Sequence, residues 1–199
     1  MKRLLSFLLI ILVTSVFAQK KYYNQAVNSC AGKSSDELID KCIKDSYLLN
    51  YDFTTDESKV ISTKDIKRPI VILAAAGWSA PCIGQIPALN EIVDIYHNDI
   101  QFIMIFWDKK GKIERFKSKV DSRVLLVPAG DSDKVEKGNL DISGFVHKLD
   151  YPTAYLIDKT KKFVDVKRGA VIPSKTVTRE EANETNASDL EAFIQQVLK

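Results

Sequence analysis

The chain has 199 residues, 45% hydrophobic and 28% charged, which suits one ordinary globular domain with room for a modest second element. Its 29 basic residues exceed its 26 acidic ones, but two of the basic ones, Lys2 and Arg3, lie at the extreme N-terminus. Without residues 1–18 the balance is 27 to 26, so nothing in the charge points to nucleic acid or to an anionic membrane surface.

The segment MKRLLSFLLIILVTSVFAQ reads as a secretory signal: a basic start, an apolar run from Leu4 to Val13, and a small-residue cleavage site at Val16-Phe17-Ala18. The run is shorter than the roughly 18–20 residues a membrane span needs. An exported protein, periplasmic or extracellular, is expected, with no stable membrane span once residues 1–18 are removed. No cysteine stands at the cleavage point to carry a lipid.

Residues 19–51 form an N-terminal helical extension. Within it Ser34-Ser35-Asp36-Glu37 is a capping-box pattern, and the amphipathic stretch behind it predicts a helix to about Leu49. Two of the three cysteines, Cys30 and Cys42, fall here. In an exported protein an odd count leaves one thiol over, and the simplest pairing is Cys30–Cys42 with Cys82 free. Cys42 also shares a helical face with Leu38, Ile39 and Ile43, so a small buried apolar side chain is the competing reading.

Residues 52–199 read as one α/β domain. DFTTDESKVIST alternates like a hairpin turning at Asp56-Glu57-Ser58, and RPIVILAAAG is the continuous apolar run of a strand buried on both faces. Helical spacing then runs from Ser79 to about Tyr96, with a bend expected at Pro87. IQFIMIFW is a second buried strand, KKGKIERFKSKV a helix, and RVLLVP a short strand. YPTAYLID and KFVDVKRG make an antiparallel hairpin across the Lys159–Lys162 turn. Ser188-Asp189-Leu190-Glu191 caps a closing helix with Leu190, Phe193, Ile194, Val197 and Leu198 on its apolar face. A parallel β-α-β core finished by a hairpin predicts a mixed sheet flanked by helices.

The stretch Trp78-Ser79-Ala80-Pro81-Cys82, set between a buried strand and a kinked helix, resembles the redox site of the thioredoxin superfamily, W-C-x-P-C. The order of elements is most similar to the TlpA/ResA-like branch of exported thiol–disulfide oxidoreductases, with AhpC/TSA peroxiredoxins as relatives. The match covers roughly residues 52–170 and the last helix. It implies a thioredoxin-like fold, substrate contacts at Trp78, Pro81 and Pro152 (the last as a cis-proline), and protein thiols or disulfides as partners. It implies no cofactor and no metal. In that family the first cysteine attacks the substrate disulfide and the second resolves the mixed disulfide. Here Ser79 falls on the attacking position, and an alcohol forms no disulfide. Leu73 stands where thioredoxin often places a buried carboxylate, and Ala74-Ala75 replaces the usual aromatic pair.

Three readings of function follow. In the first, Cys82 alone performs thiol–disulfide exchange. In the second, the fold is kept as a catalytically inactive binding module for extended polypeptide or a protein partner. In the third, Cys82 is a peroxidatic thiol with the Ser79 hydroxyl orienting peroxide. Ser79-Ala80-Pro81-Cys82 fits the end of the peroxiredoxin pattern P-x-x-x-[TS]-x-x-C, whose leading proline would fall at Ala75. Arg123 and Arg168 are candidate basic partners. Ser79 also suits a helix N-cap, accepting from first-turn N–H groups. His97 reads as a helix end, and His147 as a residue that could approach Cys82. The two histidines share no metal-ligand spacing with a cysteine or carboxylate. Asn183-Glu184-Thr185 and Asn186-Ala187-Ser188 are glycosylation sequons.

Overall fold

A computed structural model describes residues 20–136 and 139–198; the signal-like segment 1–18 lies outside the described residues. No described helix is long and apolar enough to cross a membrane.

The central sheet has five strands: β3 (Ile70–Ala75), β4 (Gln101–Lys109), β5 (Leu125–Ala129), β9 (Thr153–Ile157) and β10 (Phe163–Arg168), in the order β10-β9-β3-β4-β5. β3, β4 and β5 are parallel, β9 runs antiparallel to β3, and β10 returns antiparallel beside β9, as expected from the sequence. Every residue of β3 is buried because the strand lies in the middle of the sheet with both faces covered. Its alternation sorts two cores. Ile70, Ile72 and Ala74 face the N-terminal extension, whereas Val71, Leu73 and Ala75 face the helices α4 (Ile86–Tyr96) and α6 (Arg179–Ile194).

The first of these faces is sealed by aromatic stacking. Tyr23, in α1 (Tyr23–Ser29), lies between Phe145 and Phe163 at 4.7 Å from each ring centroid, and its hydroxyl donates to the Val146 carbonyl at 2.7 Å. A disulfide joins Cys30 to Cys42, the pairing expected. Tyr47 bridges Tyr22 within the extension and Lys162 outside it, and backbone bonds between Asp45, Ser46 and Phe163 stitch the extension to β10. Beside it, β1 (Asp52–Thr54) and β2 (Val60–Ser62) form the expected hairpin, with Ser58 at φ +65° in its turn.

Four elements depart from expectation. The helix after Ser34 is short: α2 (Ser35–Leu38) passes into a π turn over Ile39–Ile43, and Asp45 at φ +66° turns the chain toward the sheet well before Leu49. The helix over 79–96 is divided at Gln85 into α3 (Ala80–Gly84) and α4, with Pro87 in the first turn of α4. A proline removes a helical donor and crowds the preceding turn, so the chain restarts the helix around it instead of bending through it. KKGKIERFKSKV gives only a 3-10 turn at Lys110–Lys112 and the single turn α5 (Glu114–Lys117), with Phe116 its one buried side chain. Finally, α6 begins behind a capping box at Thr178 and Glu181, ten residues before Ser188, which sits exposed within the helix.

A small antiparallel sheet, β6 (Lys134–Glu136), β7 (Asn139–Ile142) and β8 (Phe145–His147), was not foreseen by the sequence pattern. It brings Phe145 to Tyr23 and places His147 next to the segment that enters β9.

Candidate functional site

β3 delivers the chain to a turn at Ala76-Gly77, where the parallel strands end and α3 begins. The Gly77 N–H donates to the Asp108 carboxylate. A Cβ on residue 77 would stand 2.8 Å from Asp108 Oδ1, closer than real Cβ contacts, so the carboxylate and any side chain at 77 exclude each other. Trp78 follows with 66% of its surface exposed.

Ser79 occupies the N-cap position of α3 with extended backbone angles, but its hydroxyl makes no capping bond. An N-cap side chain takes the N–H of the second or third helical residue, and the second here is Pro81, which has none. The Ser79 hydroxyl instead donates to the Tyr151 carbonyl at 3.2 Å, tying the start of α3 to the residue before Pro152. The Tyr151–Pro152 peptide bond is cis. Ser79, Tyr151 and Pro152 are therefore brought together, although 72 residues separate Ser79 from Tyr151 in sequence.

Cys82, on the first turn of α3, is a free thiol with no exposed surface. Burial pushes it above its ordinary pKa by penalising the thiolate. The Ser79 hydroxyl and the Ala76 backbone pull the other way, and the charge of Asp108 adds to the upward shift; burial dominates. The thiol therefore stays protonated through neutral pH. Leu73 is buried in the same core, and no carboxylate stands at its position to accept a proton.

Around the turn, Trp78, Trp107 and Tyr151 meet edge to face, with ring centroids 5.8 to 6.5 Å apart. This aromatic rim stands over the Ser79–Cys82 turn and beside the cis-proline. The Tyr151 hydroxyl is buried and has no partner among the described residues, and burial raises its pKa. The sequence reading missed Tyr151, Trp107 and Asp108. Their signal lay in position: Trp107 and Asp108 end the apolar run of β4 at the edge where β3 meets α3, and Tyr151 precedes Pro152.

The remaining candidates fall elsewhere. The hydrogen bond of His147 goes to Tyr155 (Nδ1 to Oη, 2.7 Å) and not to Cys82, while its ring packs 4.8 Å from that of Tyr151. Burial holds it neutral, with its pKa pushed down to about 3. His97 does end α4, its Nδ1 3.1 Å from Arg123. Arg123 is held by Asp121 and Asp94, and Arg168 by Asp36 with Asp150 farther off. Both arginines proposed as basic partners for Cys82 are thus engaged by carboxylates. Asn186, of the second sequon, is buried and clamps both the N–H and the C=O of Val171, which leaves no amide for a glycan.

No family profile and no curated protein matches the chain. Solved structures do. A protein assigned as thiol:disulfide interchange protein DsbE from Chlorobium tepidum superposes with a TM-score of 0.54 at 18% identity, over 75% of this chain and 96% of that one. A protein assigned as a disulfide isomerase from Bacteroides thetaiotaomicron gives 0.52 at 18% identity, over 78% and 89%. A thio-disulfide isomerase from Thermus thermophilus gives 0.52 at 17% identity, over 71% and 93%. At this identity the likeness establishes the fold, which is thioredoxin-like.

Proposed function

We propose that this protein is an exported thioredoxin-like module that holds extended polypeptide at the Trp78–Pro152 edge and runs no two-cysteine cycle. The observation that carries this reading is the contrast within one turn: Cys82 is fully buried, which disfavours its thiolate, while Trp78 beside it is mostly exposed. Exposed Trp78 and half-buried Pro81 supply apolar contact, the aromatic rim of Trp107 and Tyr151 extends it, and the buried cis-Pro152 shapes the edge behind them. Ser79 contributes structure, bonding the turn to the cis-proline segment.

A second reading has its own support. The fold neighbours are assigned as thiol–disulfide enzymes, and the Ser79 hydroxyl and Ala76 backbone favour the Cys82 thiolate. In that reading the thiolate attacks a partner disulfide, forms a mixed disulfide with one sulfur and releases the other as a thiolate. An external thiol then frees Cys82, because no second cysteine stands at position 79. The peroxidase reading has lost its supports, since Ser79 is bonded to Tyr151 and neither arginine is free.

One pair of measurements separates the two. Alkylation of Cys82 by iodoacetamide at pH 7 is expected to be at least a hundredfold slower in the native protein than in denaturant. A thiol-blocked, permanently unfolded polypeptide is expected to change tryptophan fluorescence saturably, with the effect lost in Trp78→Ala and kept in Cys82→Ala. Rapid native alkylation, together with binding that requires Cys82 and a partner disulfide, would replace the holding module by single-thiol exchange.

A further inference from the structure

Between α3, α4 and α6 lies an open cleft of about 650 Å³, lined from Ala80 at the start of α3 and sharing no lining residue with the aromatic rim. Its walls are apolar, formed by Ile83, Ile86, Pro87, Pro173 and Ala182. Ile172, 42% exposed, continues the same surface, with its Cγ2 3.5 Å from where a Cβ of Gly84 would stand. This size and lining fall within the range of small-ligand sites, roughly 300–1,000 Å³ and mostly apolar.

The polar groups of the cleft are unevenly committed. Asn90 spends its amide on the Lys119 carbonyl and the Asp121 N–H, and Asn183 donates to Glu91 while its buried Oδ1 has no partner among the described residues. Lys119 and Arg179 also line the cleft, and neither makes an ion pair among the described residues. Arg179 is the first residue of the sixteen-residue α6, whose first turn also carries Glu180 and Glu181, the latter spent on the Thr178 capping box. Two unpaired cations over an apolar cleft call for an anion with an apolar body. The helical walls bond their backbone groups internally, and the Pro173 and Lys119 segments are not strands, so the cleft offers no strand edge to an extended peptide.

We propose that this cleft binds an aliphatic monocarboxylate, its chain against Ile83, Ile86 and Pro173 and its carboxylate met by Lys119 and Arg179. The site is separate from the Trp78–Pro152 edge and does not depend on the reading given for it.

The test is titration of the full chain with decanoate, below its micelle concentration, followed by calorimetry and by amide shifts at Gly84, Lys119 and Ala182. Decyltrimethylammonium, with the same chain and the opposite charge, is the control. The expected result is saturable one-site binding of decanoate, at least tenfold tighter than the cation and at least tenfold weaker in Lys119→Gln/Arg179→Gln. Absence of saturation, or equal binding of the two headgroups by the unaltered protein, overturns the proposal. So does a double variant that melts like the parent and binds decanoate undiminished.

Discussion

The two faces of the central sheet use cysteine in opposite ways. On the extension face, Cys30 and Cys42 are joined, Tyr23 is stacked between two phenylalanines, and the sheet is closed from solvent. On the helix face, the position that would pair with Cys82 is a serine, the thiol stands alone, and a tryptophan projects beside it. Oxidative chemistry has gone into architecture on one face, and the face that carries the redox-like motif has kept shape. In the proposed holding-module reading, stability and recognition lie on different faces of the sheet.

The largest effect is expected on the sealed face. Tyr23→Ala removes a fully buried ring and should cost about 4 kcal/mol in a denaturant titration. A loss below about 1 kcal/mol would mean that the extension is only draped on the sheet. Next, Cys42→Ala opens a disulfide spanning 12 residues and should cost about 3 kcal/mol by the loop-closure estimate, measured the same way.

His147, behind the aromatic rim, sharpens the comparison through pH. Its native pKa of about 3 lies below its ordinary 6.5, so the stability it contributes is complete above pH 6.5 and drains away as pH falls toward 3. The expected slope is about 1.4 kcal/mol per pH unit in that window, and His147→Gln should remove that part of the slope. An unchanged slope in the variant would assign the acid sensitivity to other groups.

The open face should respond less. Ser79→Ala loses one hydrogen bond to Tyr151, worth about 1 kcal/mol, and raises the Cys82 pKa further, so alkylation should slow. Trp78→Ala should change stability by less than about 0.5 kcal/mol while abolishing polypeptide binding. A destabilisation comparable with that of Tyr23→Ala would erase the distinction between the two faces.

How much of this was legible in the sequence depends on how each signal is encoded. The unbroken apolar run of β3 announced its burial on both faces, and the Pro152 segment was found with its cis bond. The strands β6 to β8 were missed because they are three or four residues long, with few buried side chains in an otherwise polar stretch. The start of α6 was misplaced because Ser188-x-x-Glu191 and Thr178-x-x-Glu181 present the same pattern, and only the second lies where the chain enters the helix. At the site, Cys82, Ser79 and Trp78 were carried by a contiguous motif. Tyr151 and Asp108 act across distances that only the folded sheet creates, and their one sequence signal was position, beside Pro152 and at the end of the β4 run.

Tyr23 reaches a carbonyl 123 residues away. A chain made from its N-terminus therefore completes α1 long before Phe145 and Phe163 exist to receive it. The Cys30–Cys42 link closes a ring of nearby residues and needs none of that later sequence. The two ties of the extension thus differ in range: the disulfide is local to it, whereas its docking draws on the whole chain as far as the final hairpin.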